Sequence, residues 1–345
     1  MATAGIDLLV PGLFGPVPIA PADLPRFLSL EQILARSDRM PAIGSDPMGS
    51  LLGRFDVRAP AGGDLPTAAI ARLADDPAAD PAGYWLHADP VHLRADRDQL
   101  LLFDGRHLAI TPAEADALIG LFNAQFAGDG LRLEAPVPDR WYLHAETPPE
   151  IRTRPVHLAV GRHIGPLVPE GPGARRWGQV LNEVQMLFHG AEVNRARAAD
   201  GRPTINGVWT WGGGRLPAVA LPGELGAVCA DHPVALGLAR AAGLPAHPLA
   251  RLDAVLTARG GDLLVLWDAL WGPVLDAEPA AWVEATRDLD QRAADLLPAL
   301  RQGRIGRLTL DPGAGARYRL TRSGLWRLWR RPAPMARRML SPGGG

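Results

Sequence analysis

The 345-residue chain carries 36 basic and 37 acidic side chains, which gives a net charge of −1 at pH 7. Its hydrophobic fraction of 47% is that of a folded globular protein, and the charge balance excludes a surface that is basic throughout. Every basic residue is an arginine, because no lysine occurs. This absence excludes Schiff-base enzymes and Walker A phosphate loops, both of which need a lysine.

Cys229 is the single cysteine, which excludes an internal disulfide and a cysteine-rich zinc site. Its apolar surroundings predict a small buried side chain rather than a nucleophile. No apolar run approaches the roughly 18 residues of a membrane span, and the N-terminus does not resemble a signal peptide. We therefore expect a cytoplasmic protein of about two domains.

The N-terminal part begins with an apolar run, Ile6–Val10, which predicts a buried strand that Pro11 and Gly12 terminate. Residues 24–35 have helical periodicity. Residues 40–81 are rich in glycine, proline, alanine and aspartate, so we expect mostly irregular chain there, with one helical patch at 67–74.

Residues 83–143 predict a small α+β unit, because four strands surround one helix within about 60 residues. Thr111 and Glu114 have the spacing of a capping box at the start of that helix. Asp104-Gly105 is typical of a hairpin turn. The predicted strands are 84–88 with 91–95, 100–103, 131–133 and 141–143.

The remaining chain alternates strands with helices, which indicates a parallel sheet. An amphipathic helix is predicted at 177–189, and a strand at 208–211 leads into Gly212-Gly213-Gly214. Further strands are predicted at 225–229, 263–267 and 307–310, with helices at 233–242 and 280–300. We expect Asp288 and Asp290, which cannot share a helix face, to be solvated.

These patterns predict a discontinuous α/β core formed by 1–82 and 177–316, with an inserted α+β domain at 83–176. Residues 317–345 form a separate basic tail with eight arginines and no acidic residue. The other 28 arginines face 37 acidic residues in 1–316. The tail therefore either folds back over the acidic body with its tryptophans buried, or docks on an anionic membrane surface or nucleic acid.

The region 181–215 predicts a platform for an anion or polar ligand. Glycines after a strand expose backbone N–H groups, and arginine grips carboxylates or phosphates with two donors. The alternative is a glycine-rich turn over structural tryptophans. The ligand could be a small anionic metabolite, and a protein partner stays open. The predicted ligand-binding residues are Asn194, Arg197, Asn206, Trp209, Trp211, Gly212, Gly214 and Arg215.

Histidine spacing does not favour a metal site. His87 and His92 are five apart in strand-like sequence, so they should face opposite sides of a sheet. His232-Pro233 begins a predicted helix, where we expect the histidine to be a cap or a surface residue. We therefore predict no bound cofactor.

Three motifs in this region resemble the RpfE-type regulatory protein family: Asn182-Glu183-x-Gln185-Met186, Val193-Asn194-x-x-Arg197 and Asn206-x-x-Trp209-x-Trp211-Gly212-x-Gly214. More distantly, the order of Val193-Asn194, Arg197, Gly201, Pro203 and the tryptophan–glycine turn is similar to that of archaeal-type cofactor-independent phosphoglycerate mutases. Those enzymes use metals and belong to the alkaline phosphatase superfamily. The resemblance implies an alkaline-phosphatase-like parallel-sheet core with an inserted smaller α+β domain.

The resemblance fails at the metal-binding positions, where this chain has Pro11, Asp268, Asp311 and Pro312. A two-metal site needs several carboxylates and histidines. We therefore expect a catalytically degenerate, mutase-like protein that binds a small anion or regulates a partner. Two alternatives stay open: an active mutase that uses Mn²⁺ or Mg²⁺ to convert 3-phosphoglycerate to 2-phosphoglycerate, and binding of an anionic surface or nucleic acid through the tail.

Overall fold

The computed structural model describes residues 4–96, 99–221, 223–257 and 261–339, so the last six residues of the predicted tail lie outside it. The chain forms two compact units: Met1–Val57 with Val219–Gly345, and Arg58–Ala218. These bounds differ from the predicted divisions at 82/83 and 176/177. The reason is that residues 67–75 and 174–214 pack with the strands that begin at Tyr84.

The first unit contains a mixed, mostly parallel sheet of seven strands. Its strands are β1 Gly5–Leu9, β2 Asp38–Met40, β8 Leu225–Cys229, β9 Ala246–His247, β10 Asp262–Leu266, β11 Arg307–Asp311 and β12 Arg317–Thr321. Their order is β2-β12-β11-β1-β10-β8-β9, and β12 runs antiparallel to β11. β1 is central and pairs in parallel with β10 and β11. The first residues of the predicted tail are therefore a strand of the core sheet.

Helices, strands and loops all contribute to the apolar core of this unit. The helices are α1 Leu28–Arg36, α2 Pro47–Gly53, α7 Pro233–Ala241, α8 Leu252–Thr257, α9 Trp271–Leu275, α10 Pro279–Arg301 and α11 Ala336–Met339. The fully buried Trp282 of α10 meets Phe27 edge to face, with 6.1 Å between ring centroids. α2 was missed in the sequence because its seven residues include a proline and two glycines.

Asp290 differs from the expectation that it is solvated. It is half-buried, and its carboxylate accepts the backbone N–H of Leu30 at 2.8 Å. Burial raises the pKa of this carboxyl group, although that hydrogen bond opposes the shift. Asp290 therefore satisfies one of the free N–H groups in the first turn of α1, which has no cap from its own sequence.

The second unit contains a five-stranded antiparallel sheet. Its strands are β3 Tyr84–Asp96, β4 Gln99–Asp104, β5 Leu131–Val137, β6 Arg140–Ala145 and β7 Gly207–Gly214, and its helices are α3 Thr67–Asp75, α4 Pro112–Phe126, α5 Ala174–His189 and α6 Glu192–Ala199. The order β4-β3-β6-β5 is extended by β7, which pairs with the long strand β3. The predicted class, an α/β core with a smaller α+β part, is confirmed.

The sequence predicted a capping box and a hairpin turn in this unit, and only the capping box is confirmed. The capping box of α4 is confirmed: Thr111 Oγ1 accepts the Glu114 N–H at 3.3 Å, and Glu114 Oε2 accepts the Thr111 N–H at 2.9 Å. The prediction of a hairpin turn at Asp104-Gly105 is wrong, because Gly105–His107 is a 3-10 turn that leads towards α4. In the β3–β4 pair, Asp96 lies opposite Gln99.

Two smaller expectations are confirmed in the first unit. Cys229 is fully buried, and burial raises the pKa of its thiol to about 11. His232 caps α7, because its Nδ1 accepts the Val234 N–H at 3.2 Å. Among the described residues, no helix is both long and apolar enough to cross a membrane.

The capping box gives a direct test of the local reading. Thr111→Ala should lower the free energy of unfolding by about 1 kcal/mol, because the Glu114 N–H loses its acceptor. Thr111→Ser keeps the hydroxyl and should stay near wild type. Urea denaturation of the three proteins measures both effects, and equal stability of the alanine and serine variants would contradict the capping role.

Candidate functional site

The carboxyl ends of four neighbouring strands meet at one edge of the seven-stranded sheet. There, the Val10 N–H donates to the carbonyl of Asp311 at 2.7 Å, and the Trp267 N–H donates to the carbonyl of Leu9 at 2.8 Å. The central strand β1 thus ends between β10 and β11. Open α/β sheets bind ligands at this edge, so it is the candidate functional site.

An arginine bridges two carboxylates beside this edge. Arg54, which follows α2, donates from Nε and Nη2 to the two oxygens of Asp7, each at 2.9 Å. Nη2 also donates to Asp311 Oδ2 at 2.7 Å. Asp7 and Asp311 lie on adjacent strands, because Asp7 pairs with Thr309 and Leu9 with Asp311. One guanidinium therefore serves both strands.

The remaining atoms of this cluster are also paired. Asp311 is 1% exposed, and its carboxylate accepts the Ser50 hydroxyl at 3.2 Å and the Gly313 N–H at 2.8 Å. Arg54 Nη1 donates to the carbonyl of Ser50 at 2.7 Å. Burial works against the charge of Arg54, but the hydrogen bonds and charges of the two aspartates outweigh it and raise the pKa. The cluster is a closed ionic network rather than an open ligand site.

The loop after β1 is packed in apolar surroundings. Pro11 is buried, the indole of Trp282 donates to the carbonyl of Gly12 at 2.8 Å, and Leu270 lies against Gly12. Pro312 next to Asp311 is also buried. Within the described ranges, no three or more His, Cys, Asp or Glu side chains are grouped so that they could hold a metal ion. This donor set does not fit a two-metal centre.

A second polar group lies where β8 and β10 end. Asp268 follows β10 and Asp231 follows β8; burial raises the pKa of Asp268, and the negative charge of Asp231 adds to the shift. His232 stacks on Trp271, with 6.1 Å between ring centroids and 12° between planes. A carboxyl group with a raised pKa at a sheet edge is typical of functional sites, but it also occurs in structural clusters.

The predicted ligand-binding residues lie in the second unit, where two asparagines bind the backbone. The side chain of Asn194 donates to the carbonyls of Phe188 and Ile205 at 2.8 Å and accepts the Ile205 N–H at 2.7 Å. Asn206 pairs in the same way with both backbone groups of Leu93. Each amide therefore replaces a missing backbone partner.

Arg197 is buried and fully engaged. It donates to the carbonyls of Pro203 and Leu108 and to Glu114, whose Oε2 lies 2.9 Å from Nη1. Arg202 binds the other oxygen of Glu114 at 2.9 Å. Although desolvation opposes the shift, these contacts and the Thr111 N–H lower the pKa of Glu114. Arg197 thus joins α6 to the start of α4.

The glycines that follow Trp211 continue the strand instead of forming an exposed loop, which corrects the reading of an open N–H platform. The Gly212 N–H donates to Thr153 at 3.2 Å. A Cβ atom on Gly212 would lie 2.2 Å from Thr67 Oγ1, and one on Gly214 would lie 2.5 Å from Pro66. These glycines therefore let the start of α3 approach β7 closely.

The indoles of Trp209 and Trp211 donate to the carbonyl of Arg154 at 2.8 Å and to Asp89 at 2.6 Å. Arg215, beyond the end of β7, is exposed. The predicted ligand-binding residues are close in sequence, but their side-chain polar atoms, except those of Arg215, form hydrogen bonds within the second unit. A ligand-binding role for these residues stays a prediction.

Asp89 is the most perturbed carboxyl group in this unit. Burial raises its pKa to about 7, with further contributions from Asp104 and Asp139, while the Trp211 hydrogen bond opposes the shift. Asp104 is itself buried and pairs with Arg106. His87 stacks on Trp211 with 4.1 Å between ring centroids. The sheet therefore contains a carboxyl group that changes charge near neutral pH.

Sequence reasoning missed Arg54, Asp7 and Ser50. The signal was Asp7 itself, a charged residue inside the apolar run Ile6–Val10. Buried charges need a partner, so this position called for an arginine. The sequence offers 36 candidates, and Arg54 is 47 residues away, which is why pattern alone could not identify it.

No family model matches the chain. One curated relative, a probable 2,3-bisphosphoglycerate-independent phosphoglycerate mutase of Geobacter sulfurreducens, is 32% identical over 66 residues. That match covers 19% of this chain and only 16% of the relative. The chain is phosphoglycerate-mutase-like. Because the matched stretch is short, the relative's activity does not transfer with it.

Two solved structures align with this chain over most of its length. The PH0037 protein of Pyrococcus horikoshii has a TM-score of 0.58 at 13% identity, covering 93% of this chain and 88% of that one. The cofactor-independent phosphoglycerate mutase of Thermoplasma acidophilum has a TM-score of 0.43 at 16% identity, covering 92% and 90%. The first supports a shared fold, and at these identities nothing beyond the fold follows.

The Arg54 bridge predicts a large loss of stability when it is broken. Arg54→Leu leaves two carboxylates without a countercharge, so the free energy of unfolding should fall by about 3–5 kcal/mol. Arg54→Lys keeps the positive charge but not the two-pronged geometry, so its free energy of unfolding should lie between those of wild type and Arg54→Leu. Urea denaturation measures these values. The triple variant Arg54→Leu with Asp7→Asn and Asp311→Asn should recover part of the loss, and a leucine variant as stable as wild type would disprove the bridge.

The raised pKa of Asp89 predicts a pH-dependent stability. The carboxyl group titrates near 4 in the unfolded chain and about 7 in the folded one, so the folded state binds more protons between these values. Its contribution is complete below pH 4 and is lost as pH rises through 7. Asp89→Asn should therefore be more stable than wild type at pH 8, by up to about 4 kcal/mol, and nearly as stable as wild type at pH 4. Partial exposure of Asp89 to solvent reduces the gain at pH 8.

Denaturation at pH 4 to 8 checks this trend. Asp116→Asn, on the exposed side of α4, is the matched control for loss of one carboxylate. An identical pH trend in both variants would show that Asp89 is not its source.

Proposed function

We propose that this chain is a catalytically degenerate phosphoglycerate-mutase-like protein, a regulatory protein of the RpfE type. The observation that carries the proposal is the Arg54 bridge. A phosphoryl-transfer enzyme of the resembled kind needs carboxylates that bind metal ions, whereas Asp311 is neutralised by a guanidinium, a hydroxyl and a backbone N–H. Arginine is permanently charged, so it does not leave room for a cation there.

The loop after β1 supports the same proposal. Where the resembled enzymes have a metal-binding aspartate, this chain has Pro11, buried beside the carbonyl of Gly12 that Trp282 holds. Proline offers no side-chain ligand. Rebuilding a metal centre here would require a second carboxylate within an apolar core, which is costly unless the charge is paired.

A small-anion-binding role, as the sequence suggests, rests mainly on Arg215. It is the exposed arginine of the predicted set, whereas Arg197 is engaged by Glu114 and two carbonyls. An exposed guanidinium can bind a phosphate or carboxylate with two donors. Titration of inorganic phosphate and 3-phosphoglycerate into wild type and Arg215→Ala tests this, with Arg195→Ala on α6 as an exposed-arginine control.

The second candidate function is an active metal-dependent mutase. One observation favours it: Asp231, His232 and Asp268 lie at the ends of neighbouring strands, and the pKa of Asp268 is raised. Among the described residues these three side chains are not grouped as a metal site, so a metal here would need further oxygens from a substrate. Asp268→Asn would abolish such activity.

Elemental analysis and a mutase assay separate the two functions. The purified full chain should contain far less than one metal ion per molecule and should not convert 3-phosphoglycerate to 2-phosphoglycerate with Mn²⁺ or Mg²⁺. An active cofactor-independent phosphoglycerate mutase serves as the positive control. Stoichiometric metal together with turnover that Asp268→Asn abolishes would reject the degenerate reading and establish the second candidate.

A further inference from the structure

Three large apolar side chains are exposed together in the turn that follows β12. Trp326, Leu328 and Trp329 have exposed fractions of 66%, 63% and 76%. We call residues 324–331 the tryptophan turn. A cluster of exposed apolar side chains is uncommon on soluble proteins and is typical of a surface that binds a protein, a ligand or a membrane.

The tryptophan turn is held in place rather than frayed. Leu325 inside it is 5% exposed, and Met335 after it is fully buried in the core of the first unit. Arg327 donates to both oxygens of Asp38 and to the carbonyl of Arg36, and Arg330 donates to the carbonyl of Ser37. The tail therefore folds back on the first unit, as one of the alternatives predicted. That alternative also predicted buried tryptophans, and this part is wrong because Trp326 and Trp329 are exposed. A fixed turn loses little entropy when it binds.

The segment that carries the turn is positively charged. Residues 317–339 contain no Asp or Glu, and the nearby Asp38 is already paired with Arg327, which lowers the pKa of that carboxyl group. Arg322, Arg331 and Arg337 are exposed. The partner that complements this surface is apolar where it meets the rings and anionic around them.

We propose that the tryptophan turn docks on an anionic lipid bilayer. Indole rings favour the membrane–water interface, and arginines bind lipid phosphates. Leu328, between the two tryptophans, favours a bilayer over single-stranded nucleic acid, because a leucine side chain gains from hydrocarbon but cannot stack on a base as an aromatic ring does. Like charges disfavour a contact between the tryptophan turns of two copies of this chain.

Binding of the full chain to vesicles tests the proposal. Flotation or co-sedimentation should show binding to vesicles of phosphatidylcholine with phosphatidylglycerol, weaker binding to phosphatidylcholine alone, and a loss at high salt. Trp326→Ala with Trp329→Ala should lower the partition coefficient by at least about tenfold. Arg331→Gln should lower it about fivefold. Because all three side chains are exposed, the fold should be kept, which urea denaturation verifies.

Met186→Ala is the matched control, because Met186 is 73% exposed on a different unit. It should bind vesicles as wild type does. The proposal is overturned if the double tryptophan variant binds vesicles as well as wild type. It is also overturned if the wild type ignores anionic vesicles but uses the same tryptophans to bind single-stranded DNA, or to form a dimer by light scattering.

Discussion

The first unit depends on one guanidinium shared by a buried carboxylate, Asp311, and a partly exposed one, Asp7. Asp7 is in the central strand, and Asp311 ends the neighbouring strand. Two negative charges so close to the interior would destabilise the sheet by several kcal/mol if left alone. Arg54 compensates both, and through the carbonyl of Ser50 it also fixes α2 against the same edge. Charge pairing thus adds to the burial of Leu51 and Leu52 in holding α2 at this edge.

This arrangement has a chemical consequence for the edge of the sheet. A divalent cation and a guanidinium can both neutralise a pair of carboxylates, but they leave different chemistry behind. A metal offers open positions that polarise a phosphoryl oxygen or a bound water. A guanidinium offers only N–H donors, and in Arg54 all three nitrogens already donate within the chain. The Arg54 bridge therefore stabilises this edge through N–H donors alone.

Periodicity and turn chemistry predicted the elements whose information is local. β1 lies in an apolar run, β11 alternates leucines with polar residues, and the capping box of α4 needs only Thr111 and Glu114. Predictions failed where contacts with residues far away in the sequence determine the local structure. Asp290 is a cap for α1 from 260 residues away, and the Gly212–Gly214 segment is strand because β7 pairs with β3. The Arg54 bridge was invisible for the same reason, since its partners in β1 and β11 are far apart in sequence.

The absence of lysine has a structural meaning at these sites. Arg54 binds Asp7 with two donors while reaching Asp311, and Arg197 reaches Glu114 and two carbonyls at once. A lysine ammonium is a compact point charge and cannot span such partners in a fixed plane. The exposed Arg322, Arg331 and Arg337 of the tail should tolerate that exchange, because their proposed role depends on charge. Arginine is thus required where one side chain joins several elements, and only its charge is required at the surface.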